Sequence, residues 1–270
     1  MHSTQATVHR LAQKSLRATT APLRRLPDFL VIGVMKGATS SLFGYLQQHP
    51  RIAGPYKKEV HFFDSGFDRG QLWYRAHFPI TAGKHTLTGE ATPSYILNPH
   101  APGRIRRVLG DVPMILMLRD PVSRAFSHYR HMVRVGREEL PFAEAIDNAD
   151  FVAAEMARVL ADPAYPDAPL RDKSYLLRGL YLEQIQRYLA HFDRERIHIL
   201  SYEDFVRAPE PAMAEVCRFL GIEPYDFDCS RHHNVGIGGK MEPALKTRLQ
   251  DYYRAPNAAL YDFLGQDFGW

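Results

Sequence analysis

Apolar residues fall along the chain in two spacings. The run at 29–34 holds five apolar residues broken only by Gly33, and 112–118 is a second run of the same kind. Runs this short, without polar alternation, fit strands covered on both faces in a parallel sheet. Shorter runs at 51–53, 86–90 and 196–202 supply further strands, about five in all. Between them the spacing turns helical. Leu42, Tyr45 and Leu46 open a helix that ends at His49-Pro50, because the residue before proline is pushed out of the helical region. Residues 71–78 pack a helix through Leu72, Trp73 and Phe78, and 101–109 reads as a basic amphipathic helix. Leu180, Leu182, Ile185, Tyr188 and Leu189 mark a strong amphipathic helix over 179–192. A helix at 212–220 ends on Gly221 as its C-terminal glycine, and 243–253 and 257–264 form two more.

Strands alternating with helices at this spacing predict a single α/β domain with a doubly wound parallel sheet and right-handed crossovers. Ligands bind such sheets beyond the carboxyl ends of the strands, so the loops after Val34, Glu90 and Leu118 are expected to face one crevice. The segment 142–175 combines a helix at 143–160 with a proline-rich turn at 162–169. It reads as a mobile insertion near the site.

Composition changes this picture little. The chain has 270 residues, 45% hydrophobic and 24% charged, enough for one full α/β core. A formal charge of +4 favours anionic ligands but is too small to argue for nucleic acid. The two cysteines, Cys217 and Cys229, are too few for a disulfide framework, and no metal quartet is visible. His232 and His233 do not make a metal pair, since adjacent side chains point apart. Residues 1–27 carry Arg10, Lys14, Arg17, Arg24 and Arg25 and no acid, which reads as a flexible basic tail. No run approaches the length of a membrane span and no signal-peptide core is present, so the expectation is a cytoplasmic protein without stable membrane insertion.

Three stretches carry chemistry. In 33–42 the strand turns into a helix through Lys36-Gly37-Ala38-Thr39-Ser40-Ser41. Such a P-loop-type turn aims backbone N–H groups and a helix dipole at one spot, which suits phosphate or sulfate. Lys36 precedes Gly37, unlike the nucleotide loop in which lysine follows the last glycine. Taken alone, an ordinary turn with a solvated lysine fits as well. In the second stretch, 119–127, Arg119 ends an apolar strand, Pro121 starts a helix, and Ser127 lies two turns on. Arg119 offers a planar fork for a phosphate or for a salt bridge. Arg124, Arg130 and Arg134 follow as a largely solvated face. The third stretch is Lys58-Glu59-Val60-His61-Phe62-Phe63-Asp64, which sets a carboxylate and an imidazole two residues apart. In extended chain they share a face. His61 titrates in the range useful for proton transfer, and it also fits a structural histidine.

Together these stretches, in this order and from about residue 27 onward, resemble sulfotransferases that use 3′-phosphoadenosine 5′-phosphosulfate (PAPS), in particular the heparan-sulfate type in a bacterial form. The resemblance implies that Lys36, Gly37, Ala38, Thr39, Ser40 and Ser41 hold the phosphosulfate and that Arg119 and Ser127 hold the 3′-phosphate. It places Glu59 as general base, with Lys36 neutralising the leaving oxygen and His61 assisting. Asp64, Ser94 and Tyr95, the last two in Thr92-Pro93-Ser94-Tyr95, would contact the acceptor, a carbohydrate or glycoconjugate. A cap loop at 231–241 would close over the nucleotide, with Gly239 and Lys240 near the 3′-phosphate. No metal is required. Two other classes remain open: a P-loop small-molecule kinase or NTPase, since Asp120 ends a strand as a metal-holding aspartate would, and a nucleotide-binding protein without catalysis.

Overall fold

The computed structural model describes residues 15–80, 86–230 and 240–270. Five strands, β1 (Phe29–Gly33), β2 (Ile52–Ala53), β3 (Leu87–Ala91), β4 (Met114–Leu118) and β5 (Ile197–Ser201), form one sheet in the order β2-β3-β1-β4-β5. Every pairing is parallel. The expected α/β fold and strand number are therefore observed, with strand ends shifted by one or two residues.

The two-residue period of a strand explains how the apolar runs are used. Leu30 and Ile32 of β1, with Met114, Leu116 and Leu118 of β4, enter a core on one side of the sheet. Phe29 and Val31, with Ile115 and Met117, enter the core on the other. Helices α3 (Ala101–Leu109) and α8 (Tyr181–Leu189) close the first face through Ile105, Tyr181, Ile185 and Tyr188. Helices α1 (Thr39–Leu46) and α10 (Pro209–Leu220) close the second through Leu42, Phe43, Leu46, Met213 and Val216. Cys217 and Cys229 are buried in this second core as free thiols, and burial raises the pKa of both.

The remaining helices are α2 (Gly70–Arg75), α4 (Pro121–Arg134), α5 (Phe142–Ala145), α6 (Ala149–Ala161), α7 (Ala168–Lys173), α9 (Tyr202–Arg207) and α11 (Pro243–Leu264). Three expectations change here. The helix expected at 143–160 is split into α5 and α6, and the stretch read as an insertion is ordered and packed, with Phe142, Ala145 and Tyr175 against α4 and α11. The two C-terminal helices are one. Proline inside a helix costs about 3 kcal/mol, yet the buried stripe Leu245, Leu249, Tyr253, Asn257 and Leu260 runs unbroken past Pro256, so packing outweighs the lost bond. Thirdly, the described part of the basic N-terminal stretch is docked. Residues 15–19 make a helical turn, and Arg24 is buried with Nη1 donating to the Phe78 carbonyl and Tyr56 hydroxyl. Residues 1–14 lie outside the described residues.

No helix among the described residues is long and apolar enough to cross a membrane.

The register of β1 against β3 rests on a close fit. Phe29 pairs with Gly89, and a Cβ at Gly89 would lie 2.2 Å from the Phe29 ring. Gly89→Ala is expected to destabilise the protein by about 1–3 kcal/mol through overpacking, read as a lower urea midpoint with an unchanged m-value.

Candidate active site

The turn after β1 enters α1 through a left-handed backbone: Lys36 has φ 72° and Ala38 φ 56°. Gly37 lies between them against the sheet, where a Cβ would come within 3.0 Å of the Met117 and Val34 carbonyls. A side chain at 37 would push the turn off the strand. Ala38, as N-cap, supplies no side-chain acceptor to the first turn of α1. The positive end of the helix is thus presented to whatever lies beyond it.

Arg119 joins this turn to the end of β4. Its Nη1 donates to the Lys36 carbonyl at 2.8 Å, its guanidinium lies 4.2 Å from the centroid of the Tyr202 ring, and its buried Nε has no hydrogen-bond partner among the described residues. Asp120, one residue on, is committed elsewhere. Its carboxylate caps α4 by accepting from the N–H groups of Val122 and Ser123 at 3.1 Å each and from the Ser123 hydroxyl at 2.5 Å. A carboxylate occupied by three local donors is a helix cap and not a metal ligand in waiting, which disfavours the kinase reading.

The third piece of the site does not form as extended chain. Glu59 and His61 both have φ 58°, and this left-handed backbone still brings them together, with His61 Nε2 3.7 Å from Glu59 Oε2. His61 Nδ1 meets Asp64 Oδ2 at 2.7 Å. Lys58 Nζ pairs with Glu59 Oε1 at 2.6 Å. Asp64, expected to touch an acceptor, has no accessible side-chain surface; its oxygens serve His61 and the Ser65 N–H.

Electrostatics follow from these contacts. Burial pushes the Glu59 carboxyl up, but the His61 imidazolium and Lys58 outweigh it and hold the group at about 2. Burial lowers His61, but the carboxylates of Asp64 and Glu59 outweigh it and raise the imidazole to about 9. Asp64 is held low against its burial by His61 and then by Arg171. At neutral pH the three form a carboxylate, an imidazolium and a carboxylate in series. Lys36 is lowered by burial and then by the charges of Arg134 and Arg119.

Lys36, Ala38, Thr39, Ser40, Ser41, Glu59, His61, Ser94, Arg119 and Ser127 all border one cleft of about 1280 Å³. Gly37 supports it from behind. Tyr95 is a correction: instead of facing an acceptor it is completely buried, with its hydroxyl donating to Glu90 at 2.8 Å. Of the cap-loop residues, Gly239 lies outside the described residues, and Lys240 is exposed beside Met241, which borders the cleft. The arginine row is also only partly a solvated face, because Arg124 is fully buried while Arg130 and Arg134 border the cleft. Sequence reading missed Arg171, whose Nη1 lies 3.1 Å from His61 Nδ1, and the buried Arg178 at the cleft wall. Neither lies in a recognisable motif. Among the described residues no group of three or more His, Cys, Asp or Glu is arranged to hold a metal ion.

A parallel sheet whose central strands end in a lysine-bearing glycine turn and an arginine, over one cationic cleft, defines an α/β protein built to hold phosphate-type anions. Residues 26–254 match the family model for the sulfotransferase domain, and the chain belongs to that family. Membrane-associated sulfotransferase kil1 of Dictyostelium discoideum is 31% identical over 91% of this chain and 66% of its own length. Heparan sulfate glucosamine 3-O-sulfotransferase 3B1 of Homo sapiens is 30% identical over 92% of this chain and 65% of its own. The chain thus spans just under two thirds of these two relatives. A crystal structure of a sulfotransferase from Alicyclobacillus acidocaldarius superposes with a TM-score of 0.72 at 32% identity, covering 90% of this chain and 97% of that one.

The two opposite pKa shifts predict a characteristic pH dependence of stability. His61 is raised from 6.5 to about 9, so its contribution is complete below about pH 6.5 and is lost as pH rises through about 9. Glu59 is lowered from 4.5 to about 2, so its contribution is complete above about pH 4.5 and is lost toward pH 2. His61→Gln should remove the decline of thermal stability between about pH 6.5 and 9 that belongs to this residue, seen as a flatter plot of Tm against pH.

Proposed function

We propose that this protein transfers the sulfuryl group of PAPS to a hydroxyl, or less favourably an amine, of a carbohydrate or glycoconjugate. The observation that carries this reading is the meeting of Lys36, Arg119 and Glu59 at one cleft, with Arg119 bonded to the backbone of the lysine turn. The donor has two anionic ends and the cleft offers two cationic places for them. The orphaned Arg119 Nε is the kind of buried donor that a phosphate oxygen satisfies, and Ser127 borders the same space. The names of two relatives, a heparan sulfate 3-O-sulfotransferase and a membrane-associated sulfotransferase, support the reaction class, and the first supports a sugar hydroxyl as acceptor.

When bound, PAPS supplies an activated sulfuryl group; the acceptor oxygen forms the new bond to sulfur as the bond from sulfur to the phosphate oxygen breaks. The residues of this chain supply positioning and charge. Lys36 and the N-terminal end of α1 face the phosphosulfate end, where negative charge grows on the leaving oxygen. Glu59 takes the acceptor's proton. A carboxylate held near 2 is a weak base in the open cleft, and it strengthens as an acceptor displaces Lys58 and excludes water. The His61 imidazolium, held through Nδ1 by buried Asp64, orients Glu59 through its Nε2–H. Arg130, Arg134 and Arg137 border the cleft and add a cationic wall suited to an anionic acceptor.

Isothermal titration with adenosine 3′,5′-bisphosphate against ATP, each with and without Mg²⁺, tests the donor site. The bisphosphate should bind more tightly without metal; preference for ATP with Mg²⁺ overturns the reading. Glu59→Gln should keep bisphosphate affinity while transfer falls by about 10²–10⁴-fold, and retained turnover would remove Glu59 from the base role. Arg119→Ala should weaken the bisphosphate by about 10–100-fold and adenosine 5′-monophosphate far less. Equal losses would mean that Arg119 acts only by holding the Lys36 carbonyl.

A further inference from the structure

Behind the cleft, Glu90 of β3 is wholly buried, and among the described residues no cation is bonded to it. Instead its carboxylate accepts three hydroxyls: Tyr74 at 2.6 Å and Tyr95 at 2.8 Å on Oε1, and Thr92 at 3.0 Å on Oε2. Burial pushes its pKa up on balance, against the pull of the three hydroxyl donors, which favour the ionised, acceptor-only form. Burying a carboxylate costs free energy that hydrogen bonds only partly repay, so its presence here points to a role. The hydroxyls show what that role is. The Phe62 N–H donates to the Tyr95 hydroxyl at 3.0 Å, and the His61 N–H approaches the Thr92 hydroxyl at 3.5 Å. These two amides flank the His61 Cα. The third hydroxyl belongs to Tyr74, whose ring stacks on Phe62 with centroids 4.3 Å apart and planes 9° apart.

We propose that Glu90 is a positioning residue for the reaction assigned above, and the proposal rests on that assignment. Each of the Tyr95 and Thr92 hydroxyls gives its proton to Glu90 and so turns a lone pair toward a backbone N–H beside His61. An acceptor-only carboxylate enforces this direction in both arms. The pair of arms holds His61 at φ 58°, a backbone that costs about 1–3 kcal/mol for a residue other than glycine and persists only where its surroundings demand it. That backbone in turn aims the imidazole between Asp64 and Glu59, with Arg171 beside it.

Glu90→Gln tests this directly. The amide nitrogen must donate to one of the hydroxyls, whose proton then turns toward the backbone N–H and breaks that arm. The readout independent of catalysis is the titration of the His61 imidazole by ¹H–¹³C NMR, assigned by its loss in His61→Gln. In the unmodified protein the midpoint should lie near 9, and Glu90→Gln should lower it by about one unit. Turnover should fall by about 10–100-fold, with affinity for adenosine 3′,5′-bisphosphate within about twofold of the parent. Tyr95→Phe and Thr92→Val each sever one arm and should each give part of both effects, which keeps the test available if Glu90→Gln fails to fold. Unchanged His61 titration in these variants overturns the proposal, as does a loss of turnover matched by a loss of bisphosphate affinity. If the parent protein transfers no sulfuryl group while the His61 midpoint moves as expected, the hydrogen-bonded arrangement stands and the reaction assigned to the cleft falls.

Discussion

The position of β1, hydrogen-bonded in parallel on both sides, is the constraint from which the site follows. Its pairing continues past the strand ends. The Val34 N–H donates to the Met117 carbonyl at 2.9 Å, and Arg119 Nη1 reaches the Lys36 carbonyl on the same side. On the other side the Thr92 N–H bonds to the Val31 carbonyl and the Ile96 N–H to the Ile32 carbonyl. The loops after β1, β3 and β4 are thereby stitched at one rim. The lysine turn, the Thr92–Tyr95 segment and the arginine are separated by tens of residues in sequence and held by a few ångströms of backbone bonding.

Strain is concentrated in the loops that border the cleft. Among the described residues, the non-glycine positions with positive φ are Lys36, Ala38, Glu59 and His61, two in each of two loops that border the cleft. Left-handed backbone at such residues persists only when neighbours over-determine it. In the first loop the neighbours are Gly37 pressed on the sheet and the Arg119 bond; in the second they are the Tyr95 and Thr92 hydroxyls and Arg104, whose Nη1 holds the Phe63 and Asp64 carbonyls. The same side-chain types on relaxed backbone would point elsewhere.

Most of the fold was legible because its signals are local. Apolar runs bounded by turns locate β1 and β4 without knowledge of their partners, and the helical stripes of α3 and α8 are as clear. What was misread depends on distant packing. Pro256 looks like a break until the buried stripe of α11 is seen to pass it. Which residues line the cleft was legible where a motif is contiguous, as at Lys36–Ser41 and Arg119–Ser127. It was not where a side chain's role depends on which way it faces. Tyr95 and Asp64 sit at positions that suit an acceptor cleft, and both turn inward to buried partners. Arg171 reaches His61 from far along the chain, out of a proline-rich stretch with no pattern that anticipates the contact.

The cysteines have a practical consequence. Both thiols are enclosed beneath α10 and around the end of the second core, and their raised pKa leaves little thiolate to react. Folded protein should therefore resist mild oxidants and alkylating dyes, so that a single cysteine engineered onto the rim of the cleft would be the dominant reactive thiol. Such a chain is ready for fluorescent or spin labelling without first removing its own sulfhydryls.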